Sequence, residues 1–183
     1  MPAFLPFELP CARIKLRFIT EMDLPALYRL MSDPGAMRYG SSSAWTSIQQ
    51  AEESLATILA GYTKGDYLRL AIEIDGAMNG FVTLRAFDKQ NLRCEIGYML
   101  ARPHWGKGYM QEALPAMIDY AFNTLGLNRI EADVDPRNEP SARLLERLHF
   151  RKEGLLRQRW IVNGEVCDSD IFGLLKSDWQ AAR

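Results

Sequence analysis

The chain has 183 residues, enough for one domain whose core needs no disulfide or metal staple. A formal charge of −1 and a hydrophobic share of 48% describe an ordinary soluble globular protein and leave no basic excess for a nucleic-acid surface. Cys11, Cys94 and Cys167 lack Cys-x-x-Cys spacing, the two histidines lie far apart, and no uncharged apolar run is long enough to span a bilayer, which excludes a sequence-legible metal cluster and a membrane span. The opening residues have no basic n-region and are broken by prolines, so the expected setting is the reducing cytoplasm.

In chain order, residues 13–20 alternate Ile14, Leu16 and Phe18 with Lys15 and Arg17, which predicts a strand. Thr20, Glu21 and Asp23 supply cap chemistry for a helix over 24–31, with Pro25 in its tolerant first turn, and Asp33-Pro34-Gly35 stops it. Residues 36–45 read as a loop. Ser47 followed by Gln50 resembles a capping box opening a helix over 48–62, ended by Gly61 or Gly65. Three antiparallel strands follow, over 67–74, 81–87 and 92–100, the first two joined at Asp75-Gly76. Helical apolar spacing runs from Met110 to Leu125, with Gly126 as the cap. Pro115 predicts a kink near 111–114, because it removes an internal hydrogen bond at about 3 kcal/mol. A strand over 127–134, a turn at 135–138, a helix over 140–148 and a hairpin of strands 155–162 and 165–175 about Asn163-Gly164 complete the chain. The order β-α-α-β-β-β-α-β-α-β-β is that of a mixed α+β sheet. Its central crossover, 92–134, joins parallel strands with right-handed connection.

The connection into the long helix stands out. Gly106 and Gly108, one residue apart, clear Cβ atoms from the path of a ligand, and the first helical turn presents unpaired N–H groups at the positive end of its dipole. A phosphate fits there. The Walker spacing of a nucleotide-binding loop is absent, so a nucleotide is the weaker reading.

Three segments in this order, Glu95-Ile96-Gly97-Tyr98, Trp105-Gly106-Lys107-Gly108-Tyr109 with Glu112-Ala113, and Asn138-Glu139-Pro140-Ser141 leading to Leu144-Leu145-Glu146, resemble the GNAT N-acetyltransferase superfamily. Arg17-Phe18, Asp23-Leu24 and Trp45-Thr46-Ser47 are similar to its RimJ/RimL-like branch, which acetylates ribosomal-protein N-termini. The resemblance implies an N-terminal extension at 1–12 and a single GNAT domain at 13–179. That domain would be a mostly antiparallel sheet of about seven strands flanked by about four helices, with a splayed central parallel pair. Acetyl-CoA would lie between the strand ends at Leu100 and Val134, with no metal. The implied acceptor is an amine, either a protein N-terminus or a small molecule such as an amino acid, polyamine or aminoglycoside. It would attack the thioester directly, and neither Cys94 nor Cys167 is where a nucleophile is needed. No nucleic-acid or membrane partner is expected, and monomer and homodimer both stay open. A non-catalytic acyl-CoA-binding module is the rival, against which intact Glu95, Asn138 and Ser141 argue. Two positions depart from the family pattern: Pro103 stands where an Arg or Gln is common, and His149 where many relatives have Gly.

By the same resemblance, the N–H groups of Gly106, Lys107, Gly108, Tyr109 and Met110 hold the CoA diphosphate, with Lys107 adding charge or staying solvated and His104 holding the loop. Backbone groups of Tyr98, Met99 and Leu100 pair with the pantetheine arm. Glu95, on the face of Gly97 and Met99, is the candidate general base, or else a salt-bridge partner; Glu131 and Asp133 are the reserves. Asn138 bonds the pantetheine or acceptor, and Ser141 is the candidate general acid for the departing thiolate, although both also suit a helix cap. Tyr39, Trp45, Tyr98 and Trp160 wall an acceptor pocket or belong to the core.

Overall fold

A computed structural model describes residues 2–182. Its elements are β1 (Glu8–Pro10), β2 (Lys15–Phe18), α1 (Leu24–Met31), α2 (Ile48–Lys64), β3 (Leu68–Ile74), β4 (Ala77–Asp88), β5 (Arg93–Leu100), α3 (Tyr109–Asp119), β6 (Arg129–Val134), α4 (Glu139–Arg147), β7 (Arg151–Val162), β8 (Glu165–Leu175) and α5 (Lys176–Ala181). The strands form one sheet in the order β1-β2-β3-β4-β5-β6-β8-β7. Every neighbouring pair is antiparallel except β5 and β6, the ends of the crossover through α3. The mixed α+β sheet with a central parallel pair is therefore as the sequence predicts, with one further strand, β1, and one further helix, α5.

Local chemistry explains most boundaries. Asp75 and Gly76 (φ 51° and 76°) and Asn163 and Gly164 (φ 52° and 79°) take the left-handed conformations that tight hairpins need. The Gln50 Oε1 accepts the Ser47 N–H at 3.1 Å, opening α2. Gly65, at φ 68°, closes it, so of the two glycine terminators the second is used. Helical geometry runs through Pro115 to Asp119, and the departure from it comes later, as a π turn over Tyr120–Thr124 in which the Leu125 N–H donates to the Tyr120 carbonyl at 3.1 Å. His149 takes φ 67°, as its place at a glycine position predicts.

Alternation in the central strands separates two faces. Leu70, Leu84, Ile96 and Ile130 are buried and share a core with Leu114, Ile118 and Phe122; each such side chain contributes about 1.5–3 kcal/mol. The other face is polar. Registers place Arg69, Thr83 and Gly97 in one row across β3, β4 and β5, and Arg85, Glu95 and Glu131 in the next row across β4, β5 and β6.

Candidate active site

Parallel pairing of β5 and β6 stops after Glu95 and Glu131, and beyond that point the strands part. A cleft of about 1090 Å³ opens there. The Ala101 N–H donates to Asn79 on the β4 side at 2.8 Å. Because backbone groups of successive strand residues alternate in direction, Met99 also faces β4, while Tyr98 and Leu100 turn toward the gap. Of the three residues predicted to pair with a ligand through their backbone, Tyr98 and Leu100 face the parted side and Met99 faces β4. The carbonyl of Leu100 already accepts the indole N–H of Trp105 at 2.6 Å, which leaves its N–H and both groups of Tyr98 on that edge.

The glycine loop closes one end of the cleft. Gly106 and Gly108 have φ of 72° and 84°, and a Cβ on Gly106 would meet nothing within 4 Å. Among the described residues no hydrogen-bond partner meets the N–H of Gly106, Lys107, Gly108, Tyr109 or Met110, whereas the next, Gln111, donates to Gly108 at 2.9 Å. Five successive open donors at a helix start form an anion cradle. The Lys107 side chain is exposed. The cradle is braced by a residue that the sequence reading passes over. Arg13 donates through Nη2 to the Lys107 carbonyl at 2.9 Å, pairs through Nε with Glu112 at 2.5 Å, and lies 4.8 Å from the Tyr109 ring centre. His104 stands 5.8 Å from Tyr109, which suits a loop-holding role, and Pro103 sits in a short turn that Arg102 ties to Asp33 at 2.7 Å.

The candidate bases differ in placement. Glu95 lines the cleft and pairs with the Arg85 Nε at 3.1 Å. Asp133 also lines it but is held by the Trp160 indole N–H at 3.2 Å, by the Ser169 hydroxyl and by Arg159 at 3.5 Å. Glu131 is tied to Arg93 and Arg129, each at 2.8 Å, and does not line the cleft.

Across the gap, α4 begins at Asn138, whose Oδ1 accepts the Ser141 N–H at 3.3 Å, so the capping reading of Asn138 is realised. The Ser141 hydroxyl lies 2.7 Å from the Tyr98 phenol. Burial pushes Tyr98 up to about 12, with the Ser141 bond acting the other way, so the phenol keeps its proton at neutral pH. Sequence reasoning treats Tyr98 as backbone and aromatic wall only; a contact spanning 43 positions has no local signal. Tyr39, Tyr98 and Trp160 line the cleft, while Trp45 packs on the core instead.

Cys94 is buried, and burial, with Glu95 and Glu131 adding to it, pushes its thiol up to about 12. Cys167 does line the cleft, with Arg137 Nη2 3.4 Å from its sulfur. Among the described residues no group of three or more His, Cys, Asp or Glu side chains could hold a metal ion, and no helix is long and apolar enough to cross a membrane.

Comparison with known proteins gives one family. The family described as Acetyltransferase (GNAT) domain matches residues 13–151. The chain is 39% identical over 170 residues to the uncharacterized N-acetyltransferase p20 of Bacillus licheniformis, covering 91% of this chain and 95% of that one. Over 90 residues it is 38% identical to the ribosomal protein uS5-alanine N-acetyltransferase of Escherichia coli, covering 49% and 46%. Its fold superposes on Mycobacterium smegmatis RimJ in complex with CoA-disulfide with a TM-score of 0.88 at 25% identity, over 97% of this chain and 91% of that one.

Proposed function

Because the chain belongs to the GNAT acetyltransferase family and is an N-acetyltransferase, we propose that it is a cytoplasmic enzyme that moves acetyl from acetyl-CoA to a primary amine, with a protein N-terminal α-amine of the ribosomal-protein type as preferred acceptor. The observation that carries the co-substrate is the cradle of five open N–H groups beside the parted strands. A diphosphate would accept from the cradle, and a pantetheine arm would run along Tyr98 and Leu100 as an added strand. The M. smegmatis neighbour is described with a CoA-disulfide, and the E. coli relative is named for an alanine of ribosomal protein uS5. These support the reading of donor and acceptor respectively.

The thioester supplies an activated acyl carbon, and the chain's residues do the remaining work. An α-amine near pKa ~8 must shed a proton to attack. Glu95, oriented by Arg85, takes it through water. An N–H on the β5 edge polarises the acyl oxygen as charge builds there. A carbon–nitrogen bond forms and the carbon–sulfur bond breaks. The departing thiolate takes its proton from Ser141, whose hydroxyl is backed by the protonated Tyr98 phenol. Direct attack needs no cysteine intermediate: the Cys94 thiol is buried and held protonated at neutral pH, and the Cys167 sulfur at the cleft wall is engaged by Arg137 Nη2.

The test is thiol release from acetyl-CoA across N-terminal peptides of ribosomal proteins and a panel of amino acids, polyamines and aminoglycosides. The expected result is the highest kcat/KM on a peptide. Higher values on a small amine would reassign the acceptor, and acetyl-CoA binding without thiol release on any member would make the chain a binding module.

A further inference from the structure

Arg69 is a cation of the cleft that this mechanism leaves unused. It stands on β3, in the row that continues through Thr83 to Gly97, and its side chain lines the cleft. Its Nε donates to the Thr83 hydroxyl at 2.9 Å, and its guanidinium carbon lies 4.0 Å from the Phe81 ring centre and 5.4 Å from that of Tyr67. Among the described residues no carboxylate pairs with it. The neighbouring cleft arginine, Arg85, is committed to Glu95. Burial pulls the Arg69 pKa below the ordinary arginine value, the mark of a charge removed from water. The Arg69 side chain is half-buried, and its Nη groups hydrogen-bond to no described residue. A planar anion would satisfy them through two parallel N–H bonds.

We propose that Arg69 is the acceptor's anion anchor, so that the preferred acceptor is a primary amine carrying a carboxylate a few atoms away. The inference rests on the acetyltransferase reading and narrows its acceptor. Adjacent strands lie about 5 Å apart, so a carboxylate held over Thr83 and Phe81 leaves its amine within reach of the Gly97 edge where the strands part. Gly97 keeps that floor open, since a Cβ there would meet nothing within 4 Å. Glu95 and Asp133 line the same cleft, and their negative charge disfavours a phosphate dianion more than a monoanion. The carboxylate has two possible sources, a free amino acid or an acidic side chain near a peptide's N-terminus, and the assay below separates them.

Two readouts are taken on the full chain saturated with CoA or acetyl-CoA. Calorimetry compares each amino acid with its carboxamide, and peptides bearing Asp at the second position with those bearing Asn. Thiol release compares kcat and KM on the same pairs. Wild type is expected to favour the carboxylate by about 10- to 100-fold. Arg69→Gln should erase that preference through KM while the amide partners bind unchanged, and Arg69→Lys should restore only part of it. A preference confined to the amino acids or to the acidic peptides identifies the source. Equal binding of carboxylate and amide by wild type overturns the proposal. So does a preference that survives Arg69→Gln in a variant whose melting shows it folded. Carboxylate-selective binding without thiol release on any amine would sustain the anchor and overturn the acetyltransferase reading; turnover without carboxylate preference would do the reverse.

Discussion

The two ends of the cleft are built from different materials. At the glycine-loop end the ligand-facing groups are backbone N–H donors, braced from behind by Arg13 and Glu112. At the other end they are side chains, Arg69, Arg85, Glu95 and Asp133, each projecting from a sheet strand. A backbone cradle recognises what every acyl-CoA carries and tolerates change in side chains around it. A set of charged side chains discriminates, and one substitution rewrites it. On the proposed function, the loop end would identify the donor and the sheet end would select the acceptor.

That contrast is broken most sharply at Gly108. A tryptophan there would need φ of 84° and would crowd Arg13 Nη2, which a Cβ alone would approach to 3.2 Å. Gly108→Trp is expected to weaken acetyl-CoA binding by about 100-fold or more, roughly 2.7 kcal/mol, with melting largely retained. Unchanged affinity by calorimetry would show that the cradle does not hold the donor. Glu95→Gln comes next, lowering kcat about 100-fold near neutral pH and progressively less as pH rises and the amine sheds its own proton. A loss equal at every pH would remove Glu95 as base. Ser141→Ala should lower kcat about tenfold and leave the KM for acetyl-CoA near wild type. Wild-type kcat would hand the acid role elsewhere, with the Tyr98 phenol the adjacent donor. His149→Gly lies outside both ends and should change only stability, relieving the φ of 67° and raising Tm by about 2–4 °C.

The same division explains what could be read from the sequence. The loop end was legible because its chemistry is contiguous, a strand, two glycines and a helix start within a dozen positions. Hairpins at Asp75-Gly76 and Asn163-Gly164 were legible for the same reason, whereas the left-handed His149 was signalled only by the family resemblance. β1 was not, since three residues ending in Pro10 carry no alternation; the strand exists because β2 offers an edge to pair with, and an edge tolerates proline. The six residues of α5 are too few to show a helical period. β7 begins at Arg151, ahead of the predicted 155, because exposure on both faces removes the alternation that would mark its start. At the sheet end, Arg69 reads as an ordinary polar alternate of a strand. Only the register that sets it beside Thr83, and the absence of a paired carboxylate among the described residues, make it conspicuous. The Tyr98–Ser141 bond depends on where α4 lands across the gap.

The Arg13 bond to the Lys107 carbonyl joins positions 94 apart in the chain, and Arg13 lies two positions before the start of β2. Whatever fills the cradle and quiets Lys107 thereby also quiets the first two strands at the far edge of the sheet, by ordinary thermodynamic linkage. Amide exchange in β1 and β2 becomes a remote gauge of donor occupancy, slowing when the cleft is loaded and losing that response in Arg13→Ala.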